Sequence, residues 1–479
     1  MARQAVNPYL PGYEYVPDGE PYVFGDRVYL YGSHDRFDGS SFCEKDYVCW
    51  SAAVDALGDW RYEGVIYEKT KDPRFPDAKS RRMFAPDVQR GGDGRYYLYY
   101  AFDFSGTIAV ACCDSPAGTY QYYGEVHYPD GTALGHADGD CFQYDPGVMV
   151  DTDGRVFLYT GFCPQGDFQK RFHLTRPMAE GGMFVELEPD MVTVKMGPKV
   201  VIPDQAHAAE TGFEGHAFFE APSIRKVGDT YVLIYSSEQQ HELCFAVSKE
   251  PDRGFQYRGV IISNGDIGYQ GREKPLNYTG TNHGSIVEIL GQWYIFYHRQ
   301  TNGICYSRQG CAEKIEIGPD VTIPQVQITS CGLNKTALAG TGRYHAGIAC
   351  CLMGREGAKP YYLDRRVEED HPYITQDGPD REDHAGQYIA NLQAGARAGF
   401  RYFLLKDLRK ISVSVRGSGR GKLQVSLELE EPPFAEIPIE PSQDWSEYST
   451  EVLVEDGEYS LWFCFDGDGA VDFKEFVLI

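Results

Sequence analysis

Residues 215–237, GHAFFEAPSIRKVGDTYVLIYSS, decide how the chain is read. Gly228-Asp229 is a turn signal, and the run after it alternates aromatic and aliphatic residues, as a strand does. Ahead of the turn, Glu220 lies among Phe218, Phe219, Ala221 and Pro222. A carboxyl group in such poorly solvated surroundings has a raised pKa, which lets it hold and donate a proton at neutral pH. Taken alone, the segment reads more simply as a strand-edge Glu paired with a nearby Arg.

The layout recurs. A turn followed by an aromatic-aliphatic strand appears as GDRVYLYGS from Gly25, DGRYYLYYAF from Asp93, DGRVFLYTGF from Asp153, GDTYVLIYSS from Gly228 and GQWYIFYHR from Gly291. The units lie roughly 60 to 75 residues apart, more than the ~40–50 of common propeller repeats, which leaves each unit a four-stranded sheet and a long loop. Helical periodicity is nearly absent. The pattern predicts an all-β fold whose first part, residues 1–322, is a five-bladed β-propeller.

Each unit carries a polar residue ahead of its turn: Asp18 in PDGEPYVF, Asp87 in MFAPDVQR, Asp145 in YDPGVMVD, Glu220 in FFEAPSIRK and His283 in NHGSIVEIL. If each segment is the innermost strand of its sheet, four carboxylates and a histidine converge on the axis. Burying so many acids together is costly unless they perform chemistry or hold ions.

Composition narrows the partners. A formal net charge of −25 argues against nucleic acid and anionic membranes. No apolar run approaches the ~20 residues of a membrane span. The start, MARQAVNPYLPGYEY, lacks the apolar stretch of a secretory signal. The 13 cysteines are scattered without zinc-site spacing, which suits reduced thiols in a cytoplasmic protein. The 35 Tyr and 26 Phe suit strands and also a site that stacks on sugar rings.

NPYLPGYEYVPDGEPYVFGDRVYLYGSHD, MFAPD, YDPGVMVDTDGRVFLY, FFEAPSIRK and NHGSIVEILGQWYIFYHR, in that order, resemble glycoside hydrolase family 43 over about residues 7–315. The resemblance implies a five-bladed propeller that hydrolyses β-xylosides, α-L-arabinofuranosides and related pentose polymers with inversion and without a cofactor for the chemistry. It places Asp18 at the general base, Asp145 at the Asp that orients and tunes the acid, and Glu220 at the general acid. It places His283 beside a water or a structural Ca2+ near the axis; bonds to backbone carbonyls are the alternative for this ring. Arg308, in SRQG, resembles an arginine that hydrogen-bonds the sugar, and Phe84 stands where the family usually has Trp. Asp87 is read as a sugar contact or as a structural bond to backbone or Arg308. His34 and Asp35 either line the mouth or stabilise a turn. Inverting hydrolysis further predicts that Asp18 and Glu220 stand about 6.5–9.5 Å apart with room for a water.

Residues 323–344 read as a Gly- and Thr-rich connector. Beyond it RKISVSVRG, KLQVSLELE, WSEYSTEVLV, YSLWFCFDG and AVDFKEFVL predict a β-sandwich, jelly-roll-like, over 345–479. This part resembles a family 6 carbohydrate-binding module, with Ala470 close to where such modules have a ligand-binding Asn. Trp445 and Trp462 are platform candidates, although core packing is the usual role of strand aromatics.

Fructan hydrolases also use Asp, Asp and Glu, but would show an NDPNG-like start and a Glu-Cys pair instead of PDGEP and Glu220-Ala221. Mannoside phosphorylases would need a basic phosphate cluster in place of a water-activating base such as Asp18. A non-catalytic sugar-binding propeller would not need all three carboxylates. The expected enzyme releases one terminal pentose, α-L-arabinofuranose ahead of β-D-xylose or with dual activity, from a short oligosaccharide.

Overall fold

The structure is a computed structural model describing residues 3–166, 168–171, 174–361, 365–367, 369–381 and 386–479. It is all-β; among the described residues the α-helical content is the single turn Phe168–Arg171. No helix among them is long and apolar enough to cross a membrane. The first part of the chain forms five antiparallel sheets, four of them four-stranded and the fifth three-stranded. The aromatic-aliphatic runs are the second strands of these sheets: Arg27–Tyr31, Tyr96–Tyr100, Val156–Thr160, Thr230–Ser237 and Gln292–Thr301. Each is interior to its sheet and so paired along both edges, and buried aromatics such as Tyr31, Tyr99, Tyr159 and Tyr235 fill the space between sheets.

The opening strands, Glu20–Phe24, Asp87–Arg90, Gly147–Val150, Phe218–Val227 and Ile286–Ile289, meet in chain order. Tyr22 Oη donates to Asp87 Oδ1 at 2.7 Å, and the Val148 N–H donates to Asp87 Oδ2 at 2.7 Å. A Cβ on Gly147 would lie 2.1 Å from the Pro222 carbonyl oxygen, which is why this close approach takes glycine. The Ser223 and Ser285 hydroxyls meet at 2.8 Å, and a parallel bridge between Gly19 and Gly284 joins the last sheet to the first. The N-terminal segment completes the fifth sheet's outer side: Tyr9 N–H donates to Gly310 O, and Asn7 Nδ2 to Ala312 O.

The remaining chain forms two six-stranded sheets. Between them Phe400, Phe403, Phe463, Phe473 and Phe476 are fully buried. Pairing starts before residue 345, at Leu338–Ala339 and Gly342–His345, because these strands hydrogen-bond to Arg397–Leu405 and Ala470–Leu478. Trp462 is buried in a core shared with the fourth and fifth sheets. Trp445, in contrast to the core role expected of strand aromatics, is half-buried outside the core, with Arg416 4.3 Å and Lys474 5.5 Å from its ring centre.

Candidate active site

A cavity of about 540 Å³ is lined by Asp18, Phe84, Asp145, Glu220, His283 and Arg308 together. These residues come from the ends of opening strands or from the segments leading into them, except Arg308, which lies within Ile304–Ile315. The backbone aims three of them. Asp18 and Asp145 sit at positive φ, +57° and +46°, just before their strands begin. Glu220 lies at a β-bulge inside Phe218–Val227, where the register shifts on both sides of it and Ala221 takes φ +64°. Left-handed backbone at non-glycine residues costs of order 1–3 kcal/mol each and gathers where function holds it in place. A larger cavity, about 740 Å³, lies between the N-terminal segment and the C-terminal sheets and contains none of these residues.

The charges are arranged unequally. Burial pushes Asp18 up, but Arg308 and then His298 more than offset it and hold the carboxyl well below the ordinary range. Arg308 Nη1 donates to Asp18 Oδ1 at 2.8 Å. Glu220 is raised to about 8, first by burial and then by the negative charge of Asp18, with Arg308 opposing. Asp145 is also raised, by burial and by Glu220 and Asp18. Three acids facing one cation cannot all ionise at neutral pH, so one proton stays in the Asp145–Glu220 pair while Asp18 remains a carboxylate. His283 has its Nδ1 3.8 Å from Asp145 Oδ2, and burial holds its ring below the usual imidazole value. The cavity therefore presents a proton donor and an ionised acceptor, the pair that acid–base cleavage of an acetal needs.

The walls on the Glu220 side are apolar. Phe142, Phe162 and Phe219 form a buried cluster with Phe104, Tyr144 and Phe168 packed against it. Phe84 lies 5.0 Å from the Tyr144 ring and so belongs to the same wall.

Asp87 is a correction: it does not line the cavity. Its oxygens are occupied by Tyr22 Oη, the Val148 N–H and its own neighbour's N–H, so it joins three sheets below the site. Its partners are backbone and Tyr22, with Arg308 turned elsewhere. His34 is likewise structural, held by Glu14 at 2.9 Å and the Asp46 carbonyl at 2.9 Å. Asp35 grips Arg308, accepting from Nε at 2.9 Å and from Nη2 at 3.0 Å, and so holds that guanidinium against Asp18. Sequence reading did not find His298, whose buried ring donates from Nε2 to the Thr281 carbonyl and brings Nδ1 to 3.2 Å from Asp18 Oδ1. Its signal was available: in the recurring strand motif, the fifth copy ends in His-Arg where others carry Gly, Ala or Ser with Ser or Phe.

Known proteins share this arrangement of sheets and sequence. A xylosidase/arabinosidase of Thermoclostridium stercorarium is 51% identical over 482 aligned residues, covering 100% of this chain and 99% of the relative. The structure of a family 43 β-xylosidase/α-arabinofuranosidase from a compost microbial metagenome, solved with xylotriose in a calcium-free form, superposes with TM-score 0.53 at 26% identity, covering 68% of this chain and 99% of that one. A family 43 arabinoxylan arabinofuranohydrolase from Bacillus subtilis, in complex with cellotetraose, shares the fold along 98% of this chain and 97% of its own at 20% identity and TM-score 0.51. Residues 7–323 match Glycosyl hydrolases family 43, and the chain belongs to that family.

Proposed function

We propose that the chain is an inverting glycosidase releasing a terminal pentose, α-L-arabinofuranose first and β-D-xylose second, from short (arabino)xylo-oligosaccharides. The observation that carries the reading is the opposed electrostatics of Asp18 and Glu220 in one cavity. In the reaction, Glu220 gives its proton to the glycosidic oxygen as the bond from the anomeric carbon breaks. Asp18 takes a proton from the water that attacks the opposite face, which inverts the configuration. Burial and the Asp18 charge keep Glu220 protonated between turnovers, and Asp145 stands beside it in the cavity to orient and tune the acid. Arg308 and the aromatic wall hold the sugar. A pentose lacks the exocyclic hydroxymethyl group of a hexopyranose, so a close wall discriminates against hexoses by about 1–3 kcal/mol per unmatched group.

The same reading takes the five sheets as blades of a propeller over residues 1–322. It takes the two six-stranded sheets of 345–479 as a sandwich resembling a carbohydrate-binding module. The 13 cysteines are free thiols, which supports a reducing compartment such as the cytoplasm and hence a small imported substrate. Family 43 catalysis needs no cofactor. His283 offers a Ca2+ one imidazole and, 3.8 Å from its Nδ1, the Asp145 carboxylate; among the described residues the group of three such ligand side chains is His216, Glu242 and Cys244, none of which lines this cavity. One imidazole is a poor ligand for a cation that takes six to eight oxygens, and no step passes through an ion.

The test is kcat/KM on 4-nitrophenyl α-L-arabinofuranoside and β-D-xyloside, on the matching oligosaccharides, and for Glu220→Gln. The arabinofuranoside is expected to be the better substrate. Glu220→Gln is expected to lose far more on oligosaccharides than on the activated aryl glycosides, whose leaving group needs little protonation. Equal losses on both would remove Glu220 from the acid role, and a clear preference for the xyloside would reverse the order of substrates.

A further inference from the structure

We propose that Asp380, in the C-terminal part of the chain, is a positioning residue for the wall of this cavity, acting through the loop between Tyr31 and Tyr47. The proposal rests on the cavity being the sugar site. Ser40, Ser41, Phe42 and Cys43 line the cavity, yet none lies in a strand. Their placement depends on what holds the loop that carries them.

A single carboxylate ties both of its ends. Asp380 Oδ1 accepts from the Phe37 N–H at 2.8 Å, and Asp380 Oδ2 accepts from Lys45 Nζ at 2.8 Å. The two side chains are 16% and 14% exposed, so this pair is sheltered and stronger than an open surface bridge. Nearby, the Tyr15 ring stacks on Phe37, and its hydroxyl donates to Gln376 at 2.6 Å. Asp38 is fixed by Asn302 at 3.0 Å and by Arg366. The C-terminal chain thus grips the loop's outer side, while Asp35 takes the Cys43 N–H on the inner side at 2.9 Å.

What the loop presents is Phe42. Its ring lies 4.7 Å from the Arg308 guanidinium carbon and edge-on to Tyr306 at 4.9 Å. Arg308 in turn holds Asp18. Releasing the loop withdraws one face of the pocket that encloses the sugar and uncovers the cation beside it. Asp380 touches neither the cavity nor the site residues, and its effect falls on sugar binding more than on proton transfer.

Asp380→Ala is expected to raise KM for the preferred pentoside about tenfold with kcat changed little, since hydrogen bonds to charged groups contribute on that scale. Asp380→Asn, which still accepts from the Phe37 N–H, recovers part of the loss. Amide exchange is the readout independent of turnover: residues 36–46 should exchange faster in Asp380→Ala while 228–237 stay protected. Unchanged exchange over 36–46, or an unchanged KM accompanied only by a lower melting temperature, overturns the proposal. Should Asp380→Ala fail to fold, Lys45→Met removes one of the two ties and is judged by the same outcomes. A wild type inactive on pentosides, with Glu220→Gln indistinguishable from it, would overturn the site reading instead, and exchange over 36–46 then decides the tie by itself.

Discussion

At the scale of single residues, Asp18 and Glu220 are the same functional group driven in opposite directions. Asp18 is buried but bonded to Arg308, and a carboxylate that accepts from a fixed guanidinium stays ionised to low pH. Glu220 has no such bond, so burial and the Asp18 charge both favour its proton. The sign of the pH dependence follows. With Glu220 as the proposed acid and Asp18 as the proposed base, kcat/KM on oligosaccharides should hold across the mildly acid range and fall as pH rises through about 8. The acid limb should lie below the ordinary Asp value. Because Asp145 and Glu220 interact, the alkaline limb belongs to the pair. A profile of kcat/KM against pH checks this, and an alkaline limb near the ordinary carboxylate range would mean that no raised acid takes part. Asp18, Asp145, Glu220 and His283 were legible in the sequence because each precedes a recurring turn-and-strand unit by a similar offset. Asp87 stands closer to its turn than the other four and is the first residue of its strand, where Asp18 and Asp145 precede theirs, and its carboxylate pairs with Tyr22 and Val148 across the sheets.

At the scale of elements, the second strands were legible because turn chemistry and alternation both mark them. Less visible were the devices that interrupt a strand. The bulge at Glu220 is one: FFEAPSIRK reads as a plain strand, with Pro222 as the sole sign of irregular pairing. In the C-terminal part, Arg397–Leu405 and Gln387–Gln393 are strands that the sequence did not announce, because no sharp turn signal frames them and alternation is imperfect. The bulge itself makes a prediction. Ala221 holds φ +64° with no exposure, a conformation that β-branched residues adopt at a real cost. Ala221→Val should destabilise by about 1–3 kcal/mol. It should also lower kcat, because relaxing the bulge turns Glu220 away from its place in the cavity. Ala221→Gly accepts the backbone angle and should lose less of both. Melting temperature and kcat measured on the two variants decide it; a Val variant as active and stable as the Gly variant would show that the bulge is held by other contacts.

At the scale of the whole molecule, the propeller-like sheets and the C-terminal sheets supply partners for each other's buried charges. Arg299, 4% exposed, donates from Nη1 to Ala349 O at 2.8 Å and from Nη2 to Gly347 O at 2.6 Å. In the reverse direction Arg401 Nη1 donates to Asp266 Oδ2 at 3.0 Å, with side chains 7% and 0% exposed. Apolar contact runs through the same seam, where Cys350, Met353 and Trp462 share a core with Val232, Ile261 and Ile295. Removing one member of a buried pair strands the other, which typically costs more than the pair itself contributes. Arg401→Met should therefore destabilise by about 3 kcal/mol, softened by Arg272, which stands 3.7 Å from Asp266. Adding Asp266→Asn should restore part of that loss, since the fully buried carboxylate is then neutral and Arg272, 33% exposed, can be solvated. Arg416→Met, which loses partly exposed pairs with Asp377 and Asp472 and a place against the Trp445 ring, should cost about 1 kcal/mol and serves as the contrast. Because Asp266 lies in the connection between the fourth and fifth sheets, the loss should lower a single unfolding transition of the full chain instead of releasing the C-terminal sheets first. Differential scanning calorimetry reads both quantities. Two separate transitions, or an Arg401→Met cost no larger than that of Arg416→Met, would show that the two halves are stable without each other and that the loop held by Asp380 is joined to an independent unit.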